Sequence, residues 1–117
     1  MSIETYLPLK APVFHILLSL AEREAHGYAL VQEVRTRSGG RVELETGPLY
    51  RHLRRLSDEG LIEDADPPPE KAGLDQRRKY YRLTSVGRQV LVAETRRLAD
   101  LVEAGRRLHL LDEPAGT

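Results

Sequence analysis

The chain has 117 residues, 18 Lys and Arg balanced by 18 Asp and Glu, and neither cysteine nor tryptophan. That length supports one domain with a real but small core. Zero formal net charge excludes a globally basic surface, so a nucleic-acid site must come from local sorting of charge, and the missing thiols exclude a disulfide framework or a thiolate metal site. The longest apolar run, within residues 13–21, is broken by His15 and Ser19 and is too short to span a bilayer. Residues 1–10 lack the basic start and apolar stretch of a secretory signal. The expectation is a soluble cytoplasmic protein with no membrane partner.

Pro8 and Pro12 punctuate the entry, and residues 11–24 read as the first helix. Val13, Phe14, Leu17, Leu20 and Ala21 recur at three- and four-residue steps; Ile16 and Leu18 widen the stripe, as in a helix buried on more than one side. His26-Gly27-Tyr28 breaks the pattern before a second helix over residues 27–37. Leu30, Val31 and Val34 give it a narrow seam, and Ser38-Gly39-Gly40 ends it. Residues 41–45 suit a very short strand or an extended link.

Residues 45–61, ETGPLYRHLRRLSDEGL, organise the rest. Thr46 reads as an N-cap, Pro48 sits in the first turn where its missing N–H costs nothing, and Gly60 is a natural stop. Leu49, Leu53, Leu56 and Gly60 share one stripe at 3.6 residues per turn. Arg51 and Arg54 then point away from it, with Arg55 and Tyr50 on its flanks. No acid lies between Thr46 and Leu56.

Residues 61–65 read as a strand. Residues 66–77, with three consecutive prolines and Gly73, must be loop. Residues 78–83 (RKYYRL) form the return strand, with Tyr81 and Leu83 inward and Arg78, Tyr80 and Arg82 outward by period-two alternation. Arg77, Arg78, Lys79 and Arg82 form a second local positive cluster.

Thr84-Ser85 caps a helix expected from residue 85 or 86 to about 111, roughly 38 Å long, more than so small a body covers. Val86, Val90 and Ala93 suit packing on the chain's own body. Leu91, Leu98, Leu101 and Leu108 follow a heptad-like spacing, joined by Val102 and interrupted by Glu94 and Gly105. A seam reaching beyond its own domain wants a partner, most simply a second copy across a two-fold axis; a fourth core helix folded back on the body is the alternative.

The fold class expected is mainly α with a small β-hairpin. A winged helix-turn-helix spans residues 9–84 and a dimerisation helix residues 85–111, with flexible ends at 1–8 and 112–117. In that architecture the third helix enters a DNA groove and the hairpin, or wing, flanks it. Arginine suits guanine edges and phosphates alike, while wing cations add phosphate contacts that orient without reading sequence. The site residues expected at double-stranded DNA are Thr46, Tyr50, Arg51, Arg54, Arg55, Arg77, Arg78 and Lys79. Two related modules would read two half-sites about one helical turn apart.

Three short runs, taken together and in order, resemble the PadR family of bacterial transcriptional regulators. They are His26-Gly27-Tyr28; Gly47-Pro48-Leu49-Tyr50 with Leu53, Leu56 and Glu59-Gly60-Leu61-Ile62; and Arg78-Lys79-Tyr80-Tyr81-Arg82-Leu83-Thr84 with Gly87. The resemblance spans residues 9–108, and the single last helix resembles the compact subfamily. It implies a homodimeric DNA-binding repressor in which Tyr50 and the start of the central helix approach the DNA backbone. Tyr81 would then be core, and Thr84 and Gly87 would mark the junction of wing and last helix. Some compact members stack flat aromatic drugs on a Trp of the last helix. This chain has no Trp, so a small-molecule effector would instead enter an apolar dimer cleft near Phe14, Leu98 or Leu101.

Two other classes compete. A winged-helix protein-interaction module without DNA binding is suggested by zero net charge and by Asp58, Glu59, Glu63, Asp64 and Asp66 near the site; the arginines sorted onto one helix face argue against it. An enzyme is poorly supported. His15, His26, His52 and His109 lack metal spacing, no phosphate loop or nucleophile constellation occurs, and no cofactor is expected. His26 is expected to set the turn between the first two helices.

Overall fold

In the computed structural model, which describes residues 2–71, 73 and 78–111, a 3-10 turn (Ile3–Tyr6) leads into α1 (Ala11–Glu22), β1 (Ala25–His26), α2 (Gly27–Arg37) and α3 (Thr46–Asp58). Then come β2 (Ile62–Ala65), a 3-10 turn (Pro69–Lys71), β3 (Tyr80–Leu83) and α4 (Ser85–Arg107). The antiparallel sheet has the order β1-β3-β2. This is the expected winged helix-turn-helix with a long last helix. Residues 41–45 are an extended link rather than a strand.

The core is one cluster. Ile16, Leu17 and Leu20 of α1 meet Leu30 and Val34 of α2, Leu49, Leu53 and Leu56 of α3, and Val90 and Leu91 of α4, with Leu61, Ile62 and Tyr81 closing the sheet side. Each leucine taken fully from water contributes about 1.5–3 kcal/mol, which makes the α3 stripe the strongest determinant of that helix's orientation. The α3 helix ends as its glycine foretells: Gly60 adopts φ +78° and the Leu61 N–H donates to the Leu56 carbonyl at 2.9 Å, the six-to-one bond of a left-handed cap.

Several expectations need correction. Thr46 is the first helical residue, not the cap; Glu45 holds the N-cap position with no side-chain bond, because the chain enters from the extended link one residue earlier. Tyr80 is buried, not outward. The alternation argument assumed a two-stranded hairpin, whereas β1 adds a third strand, pairing His26 with Tyr80 and laying the His26 ring edge-on against the Tyr80 ring at 5.2 Å. Val86 is exposed, while Val90 is fully buried as expected. Leu91 leaves the dimer seam: at 6% exposure it belongs to the chain's own core, one helical turn from Gly87. The last helix stops at Arg107, four residues short of expectation, where His109 turns left-handed (φ 59°) and the Leu110 N–H caps the Gly105 carbonyl at 2.9 Å. The expected flexible tail at 112–117 lies outside the described residues.

Of the end expected to be free at 1–8, residues 2–8 are described, and Ile3, Tyr6 and Leu7 pack on the body. Glu94, read in sequence as an interruption of the seam, is the reason. Its carboxylate is only 1% exposed, accepts the Leu9 N–H at 2.6 Å and is bridged by the Arg97 guanidinium. The Arg97 bond and the Leu9 amide hold its pKa below the usual carboxylate range against the opposing effect of burial.

The junction of wing and α4 is a tight weld. Thr84 Oγ1 donates to the Gly60 carbonyl at 2.6 Å and accepts from the Gly87 N–H at 3.0 Å, while the Thr84 N–H reaches the Leu61 carbonyl at 3.1 Å. A Cβ on Gly87 would collide with that same Leu61 carbonyl and come within 2.9 Å of Leu83 Cδ1.

Two glycines therefore respond differently to alanine. Gly87→Ala must part α4 from residue 61 and costs about 3 kcal/mol or more; Gly60→Ala meets nothing within 4 Å and costs only about 1–2 kcal/mol of left-handed strain. Urea melts of both variants check the order, and a Gly87→Ala variant as stable as Gly60→Ala would refute the packing account. Removing the carboxylate by Glu94→Ala strands the Leu9 N–H, at a cost of about 1–3 kcal/mol. Because the folded pKa of Glu94 is depressed, its contribution is present above the unfolded carboxylate pKa and is lost as pH falls through the folded one. Wild type should lose more stability than Glu94→Gln across that acid window; parallel losses would remove Glu94 as the cause.

Candidate nucleic-acid interface

Burial of Leu49, Leu53 and Leu56 turns the other side of α3 to solvent, where Gly47, Arg51, Arg54 and Arg55 are all exposed. Arg51 lies opposite the leucine stripe, and Arg54 and Arg55 stand to either side of it by the 100° step of a helix. Among the described residues, neither Arg51 nor Arg54 has a carboxylate within ion-pair distance, whereas Arg55 Nε binds Glu59 Oε1 at 2.8 Å. Thr46 is exposed at the first turn.

The expected residues come together from two elements. Tyr50 is half exposed on the flank of α3, and its hydroxyl lies so close to Gly27 that a Cβ there would approach it to 3.0 Å. That Cβ would also meet buried Leu49 Cδ2 at 3.3 Å, so glycine at 27 lets the start of α2 approach α3 closely. Arg78 and Lys79 lie just before β3 and are exposed. Lys79 Nζ is 3.4 Å from Asp64 Oδ1 and 5.6 Å from the Tyr81 ring centre. Arg82 pairs across the strands with Glu63 at 3.0 Å. Arg77 lies outside the described residues.

Two features escaped sequence reasoning. His26 caps α2, its Nδ1 accepting the Ala29 N–H at 3.2 Å, as the expected turn-setting role requires; but its Nε2 also lies 2.9 Å from Arg78 Nη1, tying the wing to the start of α2. No local pattern announces a contact 52 residues apart. Tyr28, 65% exposed at the start of α2, stands next to the Gly27–Tyr50 contact; the signal available was a large aromatic on a helix whose apolar seam runs elsewhere.

His52, on the side of α3 away from Tyr50, is held below the ordinary histidine pKa, first by burial and then by the positive charges of Lys10, Arg51 and Arg55. The local field at this edge of the helix is therefore cationic. Lys10, His52 and Arg55 also line a groove of about 660 Å³ between the N-terminal segment and α3. Of the residues expected near an effector cleft, Phe14 and Leu98 are half-buried and Leu101 exposed; none of them lines that groove. Leu101 and Val102 of α4 are exposed at 57% and 45%, and Leu108, which falls at the C-cap because the helix stops at Arg107, at 69%; the single chain leaves this apolar surface uncovered. No helix among the described residues is long and apolar enough to cross a membrane.

Residues 16–93 match the model of the transcriptional regulator PadR-like family. The chain is 40% identical over 88 residues to the transcriptional regulator Rv3488 of Mycobacterium tuberculosis, covering 74% of this chain and 75% of that one. It is 30% identical over 96 residues to an uncharacterised protein of Lysinibacillus sphaericus, 77% of this chain and 85% of the other. Among solved structures, a PadR family transcription regulator from Clostridium difficile superposes with a TM-score of 0.69 at 21% identity, over 85% of this chain and 98% of that one, a likeness of fold.

The cationic edge makes a spectroscopic prediction. Followed by NMR, His52 should protonate below about 6.5, the ordinary histidine value, and Lys10→Ala with Arg51→Ala should move it part of the way back, since burial remains. A titration unmoved by both substitutions would show that burial alone sets it.

Proposed function

The chain belongs to the PadR-like family of transcriptional regulators, and from that premise we propose that it acts as a homodimeric repressor whose α3 helices read two operator half-sites. Membership makes it a DNA-binding transcriptional regulator and not an enzyme. The proposal concerns how it binds. Arg51 and Arg54 reach base edges in the major groove, Thr46, Tyr50 and Arg55 the flanking backbone, and Arg77, Arg78 and Lys79 the phosphates beside the wing. What carries this reading is one observation: among the described residues, the two guanidinium groups on the outer face of α3 are exposed and have no carboxylate within ion-pair distance, while Leu49, Leu53 and Leu56 of that helix are turned inward. A free guanidinium offers its whole donor fork to guanine or phosphate.

Self-association supplies the second module. Leu98, Leu101, Val102 and Leu108 form the seam of the proposed dimer, with Leu91 excluded because it is already buried. The chain of Leu101 and Leu108 lies beyond the reach of the chain's own core, and apolar surface of that kind is characteristic of an interface. A two-fold pairing through α4 spaces the α3 helices for one face of a duplex. Release from the operator is assigned to a small-molecule effector entering an apolar cleft between the subunits near Phe14, Leu98 or Leu101.

Binding-site selection from random duplex DNA, followed by anisotropy titrations on the selected operator, tests the reading. Arg51→Ala and Arg54→Ala should each cost about 1–3 kcal/mol and relax preference at one position. Lys79→Ala should weaken binding without relaxing preference at any base position and flatten the salt dependence. If every variant binds like wild type, the assignment is wrong. Leu101→Glu with Leu108→Glu should yield a folded monomer by analytical ultracentrifugation with much weaker operator binding; a dimer that survives both charges would exclude α4 as the seam.

A further inference from the structure

Four cations of the proposed DNA-binding face fall into two contrasting pairs. Arg51 and Arg54 stand free on α3, but Arg55 is held by Glu59 at 2.8 Å and Lys79 by Asp64 at 3.4 Å. Resting on the reading of this face as a DNA-binding surface, we propose that Glu59 and Asp64 are specificity-determining residues that mask Arg55 and Lys79 against indiscriminate phosphate binding. Arg51 and Arg54 are left without such a carboxylate among the described residues.

The physical argument has three parts. Each pair is exposed, with side-chain exposures of 76% and 33% for Arg55 and Glu59 and 62% and 71% for Lys79 and Asp64. Exposed pairs are individually weak, so they open readily and do not prevent a phosphate from taking the cation. While closed, however, each pair removes one cation from the long-range attraction that supplies almost all of the affinity for random duplex. The exchange also carries a cost, because the released carboxylate is left beside a phosphate of like charge. A register that seats Arg51 and Arg54 on their bases brings enough additional contact to offset it, and a random register does not. The mask therefore lowers non-specific binding more than specific binding.

The test uses the full chain, the operator obtained by selection and a random-sequence duplex of equal length, titrated at several salt concentrations. Glu59→Gln and Asp64→Asn should each raise affinity for the random duplex about two- to fivefold, the range spanned by exposed ion pairs. Each should leave operator affinity less changed and steepen the log–log salt dependence by about 0.9 for each phosphate newly contacted. On an Lys79→Ala background the effect of Asp64→Asn should vanish, since its partner is gone. Unchanged random-duplex affinity in both acid variants would overturn the proposal while leaving the reading of the face intact, provided Arg51→Ala still weakens the operator. An Asp64→Asn gain that persists without Lys79 would overturn the masking mechanism. A wild-type chain that binds neither duplex would remove both the proposal and the reading it rests on.

Discussion

The orientation of α3 is the constraint on which the rest depends. Leu49, Leu53 and Leu56 are each 3% exposed or less, and their combined burial outweighs anything the exposed charges contribute, since exposed ion pairs are worth about 0–1 kcal/mol. The helix cannot roll without taking leucine into water. Arg51 and Arg54 are therefore aimed outward by the core and not by any polar contact of their own. Their lack of carboxylate partners among the described residues is consistent with this: a side chain placed by the other face of its helix needs no anchor.

A second weld sets where the wing sits relative to that helix. Gly60 turns the chain left-handed at the end of α3, and the very next carbonyl, that of Leu61, receives the Thr84 N–H and packs against Gly87. The end of α3, the end of β3 and the start of α4 thus meet within one hydrogen-bonded knot. At the far end of the sheet, His26 joins β1 to β3 and places its ring between the α2 cap and Arg78. The wing is thus tied to the helices at two points, one through Thr84 and Gly60 and the other through His26 and Arg78.

On the opposite side of the body, α4 has two regimes. Its first half is core, through Gly87, Val90, Leu91 and the buried Glu94. Its second half carries exposed Leu101 and Val102, with exposed Leu108 at the C-cap. Glu94 marks the change, binding the N-terminal segment through the Leu9 amide where a heptad pattern would have put an apolar side chain. A carboxylate in that position is tolerable only because Arg97 and a backbone donor satisfy it.

Reading residues alone sufficed for whatever rests on local periodicity and backbone preference. The helices, the glycine stop at residue 60, the Thr84 cap and the outward aim of Arg51 and Arg54 are all consequences of a stripe or a conformational bias confined to a few neighbours. What depends on partners far along the chain had no such signal. Tyr80 was misplaced because β1 lies more than 50 residues away, and Leu91 was given to the seam because helical spacing cannot say how much of a long helix its own body covers. Glu94 looked like a flaw in a pattern until Leu9 and Arg97 were beside it. Local sequence determined which faces are apolar; only the assembled chain decided what each face meets, because burial is a property of distant segments brought together.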